Sequence, residues 1–271
     1  MENDVAGSGL AAGLSSEDAF AILIERCCLE LDHRLLDFLE TDMVDAARKC
    51  RVSLRRLTVT LDAFAPMLKR KETARQRARA KAIFRTIGAV RDEDVYVALR
   101  GGALSPKAHS RAQKARQTAR TKLRKSMAVR FAPQLRRLVS ERGLYRRKGD
   151  GPAALAQPVE VTAALALEQA WDACQTVSAE VAALSDSERH DLRKRLKRFR
   201  YLGEFFAPIV GLPDWESRRA GLRSLQDALG DLNDHAIARG RDGRADALAE
   251  AEALMRAQDA WSALRAAPTR C

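Results

Sequence analysis

The segment RKCRVSLRRLTV (Arg48–Val59) returns later in the chain as HDLRKRLKRFRY (His190–Tyr201), and this repeat restricts the possible fold. Each copy is followed by the same kind of stop, FAPML (Phe64–Leu68) and FAPIV (Phe206–Val210). Further on, IGAVRDED (Ile87–Asp94) lies over LGDLNDHA (Leu229–Ala236). Every alignment has the same displacement of 142 residues. A constant displacement through two motifs and an intervening loop marks an internal duplication. It predicts two similar bundles related by a pseudo-two-fold axis.

The repeated elements read as helices. Ala, Leu, Arg and Glu dominate, and all four are good helix formers. No alternating Val/Ile/Thr/Tyr run predicts a strand. Residues 1–15 read as a flexible N-terminus. Ser15 with Asp18 forms a variant capping box and opens a helix over 16–40. Further helices are expected over 42–65, stopping at Pro66, over 72–100, stopping at Gly101-Gly102, and over 106–142. The Gly/Pro-rich stretch 143–158 reads as a linker. The second half, 159–271, repeats the plan. Helices are expected over 159–184, from the Ser185/Glu188 capping box to about Pro208, from about Asp214 past Asp234, and over 244–266. The expected fold is all-α, two four-helix halves forming one domain over 16–266.

The first copy of the repeat, at 100° per residue, puts Ala47, Leu54, Leu57, Leu61 and Phe64 on one arc, the core seam. Arg48, Arg51 and Arg55 share an adjoining arc, with Arg56 further round. In the second copy Leu192, Leu196, Phe199 and Phe206 make the seam. His190, Arg193, Lys197 and Tyr201 share the neighbouring stripe, with Lys194, Arg198 and Arg200 close by. Like charges at these spacings destabilise a helix by roughly 0.2–0.5 kcal/mol per pair. An anion seated between the rows offsets that cost, because arginine forks bind phosphate oxygens bidentately. The bland alternative is a solvated charged face. Repetition at one displacement favours an anion site.

Charge points the same way. The formal net charge is +12, an excess that attracts nucleic acid, anionic membrane or another polyanion. No Asp or Glu occurs from Val95 to Ser140, while Arg and Lys recur. In the helix over 106–142, Arg111, Lys114, Lys122 and Lys125 form one stripe. Arg116, Arg120 and Arg124 form another, on the far side of an Ala108, Ala112, Ala115, Ala119 and Leu123 strip. The first stripe is a secondary candidate for ligand contact, although the sequence leaves open which of the two faces outward. The five cysteines, Cys27, Cys28, Cys50, Cys174 and Cys271, are odd in number and show no C-x-x-C spacing. That argues against a disulfide framework or zinc site and fits a reducing cytoplasm. No apolar run reaches membrane-spanning length, and no signal-peptide pattern opens the sequence.

These motifs resemble the CHAD family, the conserved histidine alpha-helical domain. Its signature helix reads roughly H-x-x-R-V-x-x-R-R-L-R and recurs as H-x-x-R-K-x-x-K-R-x-R-Y. The second copy here matches throughout, with His190, Arg193, Lys194, Lys197, Arg198, Arg200 and Tyr201. The first keeps Arg51, Val52, Arg55, Arg56 and Leu57, but Arg48 replaces the histidine and Thr58 an arginine. The family's L-G-x-x-R-D-x-D is similar to Ile87–Asp94, and L-Q-D-x-L-G-x-L-N-D matches Leu225–Asp234. The resemblance implies two four-helix halves around a basic central cleft that binds inorganic polyphosphate, and association with polyphosphate granules.

The expected function is therefore non-enzymatic polyphosphate binding, with no cofactor and no metal. Nucleic acid is the alternative ligand, since phosphate contacts carry no sequence information. Single-strand readers add aromatic platforms, yet aromatic residues are only 5% here. A polyphosphate-processing enzyme is the second alternative. It would need placed carboxylates for Mg²⁺, and the basic stripes hold none before Glu204. No E-x-E-x-K strand and no P-loop occurs. Asp92, Glu93 and Asp94 could suggest a metal cluster, but Asp234, His235 and Ala236 do not repeat it. Arg91-Asp92 and Asn233-Asp234 fit an interhelical polar network better. His33, His109, Trp171, Trp215 and Trp261 are expected in packing or surface roles.

Overall fold

The structure, a computed structural model, describes residues 9–43, 45–100, 106–177, 179–212, 214–242 and 246–266. The described residues are helical in the main. In order they form α1 (Ser16–Glu40), α2 (Ala46–Ala63), α3 (Arg70–Arg100), α4 (Pro106–Lys125), α5 (Phe131–Ser140), α6 (Gly151–Ala156), α7 (Val159–Gln175), α8 (Asp186–Val210), α9 (Trp215–Asp242) and α10 (Ala247–Ala266). An isolated bridge between Leu68 and Tyr145 is the one β-type pairing among them. No described helix is long and apolar enough to cross a membrane.

Two compact units result, one of residues 15–157 and one joining 158–266 to residues 9–14. In the first unit α1 packs on α2, α2 on α3, α3 on α4, and α5 and α6 on α1. Ser15 caps α1 by accepting from the Asp18 amide at 3.1 Å. The predicted seam of α2 is the core, with Leu54, Leu57 and Leu61 at most 1% exposed. Phe64 closes it against Phe20, with ring centroids 5.3 Å apart. Burying such side chains stabilises by roughly 1.5–3 kcal/mol each.

In the second unit α7, α8, α9 and α10 pack in sequence order. The capping box of Ser185 and Glu188 opens α8. Three tryptophans distant in sequence meet in its core. Trp171 lies 5.0 Å from Phe199 and 6.1 Å from Trp261, while Phe199 lies 6.4 Å from Trp215. Gly203 is buried directly against Trp215, where a Cβ would collide with the indole.

Several boundaries differ from those expected. The helix predicted over 106–142 breaks at Met127, which adopts a left-handed conformation at φ 53°, giving α4, a 3-10 turn and α5. The first unit thus exceeds a four-helix plan. The helix expected over 159–184 ends at Gln175. Pro208 does not stop α8, which runs to Val210 and ends at left-handed Gly211. The stretch 143–158 is no free linker: Leu144 and Tyr145 are buried, and α6 lies within it. Its backbone is tied down by Lys69 N–H donating to Leu144 at 2.7 Å and by Arg146 N–H donating to Met67 at 2.9 Å. Residues 9–14, expected to be flexible, pair with α7 through Val159 N–H to the Leu14 carbonyl at 2.9 Å. The expected stop at Gly101-Gly102, the start at Arg244, residues 1–8 and Cys271 lie outside the described residues.

Candidate functional site

α2 carries the first basic row. Arg48 forms a two-pronged pair with Asp45, Nε to Oδ1 at 2.6 Å and Nη2 to Oδ2 at 3.0 Å. The arginine bond holds the Asp45 carboxyl below its usual range. One turn on, Arg51 leans over α3. Its Nη1 donates to the Phe84 carbonyl at 3.4 Å, and its Cζ sits 3.9 Å above the Phe84 ring. Burial lowers the Arg51 pKa, and the Arg55 and Arg91 cations lower it further, against the pull of Asp92. Arg55 stands 5.3 Å over the same ring. Arg56 is half-buried beside it.

α8 carries the second row, and its arginine nearest the core follows the same plan. Arg193 Nε donates to the Gln226 carbonyl at 3.2 Å. The donor-to-acceptor spacing is 33 residues in both rows. A glycine makes room each time. A Cβ at Gly88 would lie 2.5 Å from Arg51 Nη1, and one at Gly230 would lie 2.9 Å from Arg193 Nη2. Arg51 and Arg193, Phe84 and Gln226, Gly88 and Gly230 are all 142 residues apart. The duplication thus preserves a local arrangement and not only a motif.

The remaining residues of the second row are spread over different depths. His190 and Lys194 are exposed; Lys197 and Arg198 are half-buried. Partial burial lowers the His190 pKa, and Lys194 and Arg193 add to this, while a hydrogen bond with the Asn233 side chain opposes it. Lys194 pairs with Asp191 at 2.5 Å. Arg200 donates from Nε to Gln226 Oε1 at 3.1 Å and from Nη1 to Glu204 at 2.5 Å. Tyr201, expected on the basic stripe, is only 3% exposed and belongs to the core beneath Arg200. The stripe descends from solvent at His190 into the core at Tyr201, so that tyrosine cannot meet a ligand at the surface.

α4 settles the two-stripe question. Arg116 and Arg120 are buried, and with Arg124 they face the C-terminal end of α1. Arg120 Nε donates to the Phe38 carbonyl at 2.9 Å and Arg124 Nη2 to the Leu39 carbonyl at 2.8 Å. Arg120 also reaches the Thr41 carbonyl, and Arg116 reaches Met43 at 3.3 Å. These arginines satisfy carbonyls that a helix end leaves without intrahelical partners. Lys114, Lys122 and Lys125 are exposed on the opposite face. Arg111 shares that face and pairs with Glu93 at 2.8 Å. The side chain of Ala108 lies outside the described residues.

The acidic triplet is spoken for: Glu93 pairs with Arg111, and Asp94 with Arg116 at 3.0 and 3.2 Å. The four described cysteines are buried free thiols. Burial pushes Cys27 up to about 11 and Cys50 and Cys174 up to about 12, so none is a poised nucleophile.

Comparison with known proteins fits this geometry. The family model for the CHAD domain matches residues 23–241, most of the chain. The chain belongs to the CHAD domain family. Among solved structures, the CHAD domain from the plant Ricinus communis aligns with a TM-score of 0.73 at 20% identity, over 96% of this chain and 95% of that one. PptA from Streptomyces chartreusis aligns with a TM-score of 0.56 at 21% identity, over 93% of this chain and 96% of that one. At these identities the likeness concerns the fold. No curated protein matches the chain. The CHAD assignment places the histidine-bearing helix at α8, while α2 keeps the arginines and lacks the histidine. Gly88 and Gly230 were within the repeat but were not recognised as making space for arginine; their shared displacement was the available signal.

Proposed function

We propose that this CHAD domain binds inorganic polyphosphate without transforming it, through the basic faces of α2 and α8. The observation that carries the reading is the matched setting of Arg51 and Arg193. Each guanidinium is fixed over a glycine by a backbone carbonyl, which holds it without cancelling its charge. Fixed guanidiniums beside further cations suit a ligand made of repeating phosphates. The exposed lysines of α4 are secondary contacts on the same reading. Residence in the cytoplasm and association with polyphosphate granules belong to the same proposal.

The surroundings favour polyphosphate over single-stranded nucleic acid. Aromatic rings near the basic residues already lie against arginines: Phe84 under Arg51, Tyr96 near Arg111 and Tyr201 near Arg200. Base stacking needs a ring face open to a ligand. A binding role rather than catalysis is supported by the nearby carboxylates. Asp45, Glu93, Asp94, Asp191 and Glu204 are each paired with a cation of the protein, which competes with metal coordination. A direct competition between long-chain polyphosphate and random-sequence DNA tests the reading. Polyphosphate should win at equal phosphate concentration, and equal or tighter DNA binding overturns the assignment.

A further inference from the structure

The two basic rows differ in what lies beneath them. In the first unit the supporting residue is Phe84. Its ring lies 3.9 Å from the Arg51 guanidinium carbon and 5.3 Å from that of Arg55. In the second unit the equivalent position is Gln226, which is only 5% exposed. Its backbone carbonyl holds Arg193 at 3.2 Å and its side-chain Oε1 holds Arg200 at 3.1 Å. The differences between the copies are matched. Where the support is a ring, positions 51 and 55 are both arginine, the cation that stacks best, and position 58 is threonine. Where it is an amide, Lys197 stands at the position of Arg55 and Arg200 at the position of Thr58, within reach of the amide oxygen.

The chemistry of the supports also differs from that of other pairs nearby. Arg48, Lys194 and Arg111 are partnered by carboxylates, which offset their charge. A ring face and an amide oxygen are neutral. They orient a cation while leaving its field intact.

We infer that Phe84 and Gln226 are equivalent positioning residues, one through its π face and one through its carbonyl oxygens, that set the arginine heads of their rows before a polyanion arrives. The inference rests on the polyphosphate reading of those rows. An arginine ordered during folding does not lose its rotamers again on binding. Each side chain fixed in advance is therefore worth about two- to tenfold in affinity.

The test uses the full chain with Phe84→Met, which keeps bulk and removes the ring, Phe84→Tyr, which keeps the ring, and Gln226→Met, which removes the side-chain acceptor. Row reversal by Arg55→Glu with Lys197→Glu is run alongside. Affinity for long-chain polyphosphate is measured over a salt series, together with the thermal midpoint. Phe84→Met and Gln226→Met should each weaken binding about three- to tenfold, and Phe84→Tyr should restore wild-type affinity. The slope of log affinity against log salt should not change, because the number of cations is unchanged; this extends the nucleic-acid relation by analogy. In the ligand-free protein, the Arg51 side-chain proton signals should carry a ring-current shift that Phe84→Met removes and Phe84→Tyr keeps. Unchanged affinity in both methionine variants, or equal loss in Phe84→Tyr and Phe84→Met, overturns the inference while leaving polyphosphate binding intact. Unchanged affinity after row reversal overturns the polyphosphate reading itself.

Discussion

Arg193 lies across Gly230 so closely that a Cβ on the glycine would come within 2.9 Å of its Nη2. Arg51 stands over Gly88 in the same way, at 2.5 Å. Both glycines are inside helices with no left-handed backbone, so an alanine gains up to about 1 kcal/mol of helix propensity. The atom in its way is the end of a flexible side chain, which can swing aside. Gly88→Ala and Gly230→Ala should therefore leave the melting temperature unchanged or raise it, while weakening polyphosphate binding. Paired thermal melts and titrations check this. Alanine variants that bind like wild type would show that the arginine setting is irrelevant to the ligand.

His190 should make binding depend on pH. Its pKa in the folded chain is lowered, first by partial burial and then by Lys194 and Arg193; the Asn233 side chain and Asp191 oppose this. Below the ordinary value near 6.5 the unfolded chain therefore holds more proton. This site then favours the folded state less as pH falls through that range, and its penalty disappears as pH rises above it. A bound polyanion favours the imidazolium, so binding takes up protons and tightens at lower pH. Arg48, at the equivalent position, stays charged. Affinity between about pH 5.5 and 8 should follow a shallow slope of at most about one proton, which His190→Arg flattens. Because His235 lies on α9 near Asn233, both proteins are also measured with His235→Gln. Equal slopes with and without His190 would make it a structural residue.

The two stripes of α4 should behave differently. Arg116→Met strands buried Asp94 without its partner and should cost about 3 kcal/mol in urea unfolding. Arg120→Met leaves the Phe38 carbonyl without its donor and should cost about 1–3 kcal/mol. Lys114→Gln, Lys122→Gln and Lys125→Gln sit on the exposed face and should stay within about 0.5 kcal/mol of wild type. Adding Asp94→Asn to Arg116→Met should recover part of the loss. A strictly additive double mutant would contradict the pairing.

No turnover is expected. Incubation with polyphosphate or nucleoside triphosphates and Mg²⁺ should release phosphate at background rate. Release that survives repeated purification, and that falls in Glu204→Gln, would replace binding with catalysis.

The core seams, both serine caps and the displacement of 142 residues could be read from the sequence because helical periodicity reports angular position. Depth along an axis is not encoded in that angle. Tyr201 shares the stripe of His190, eleven residues on, yet one is buried and the other exposed. The break at Met127 was equally hidden, since neither Gly nor Pro marks it. The two α4 stripes were indistinguishable by charge. What separates them is the end of α1, which only folding brings opposite Arg116, Arg120 and Arg124.

The chain passes between its two units twice, at Leu14–Ser15 and at Gln157–Pro158. Residues 9–14 thus precede the first unit in sequence while forming part of the second, where Gly13 N–H donates to Glu160 at 2.6 Å and Leu14 accepts from Val159 at 2.9 Å. Dissection at the repeat boundary would therefore misassign a strip of polypeptide. A fragment beginning at Pro158 has exposed backbone where Leu14 should sit, and the complementary fragment carries that missing strip as an overhang. Mixed together, the fragments should re-form a complex, pinned by six residues that each needs to share with the other. That makes Gln157–Pro158 the natural place to split this protein into a complementing pair.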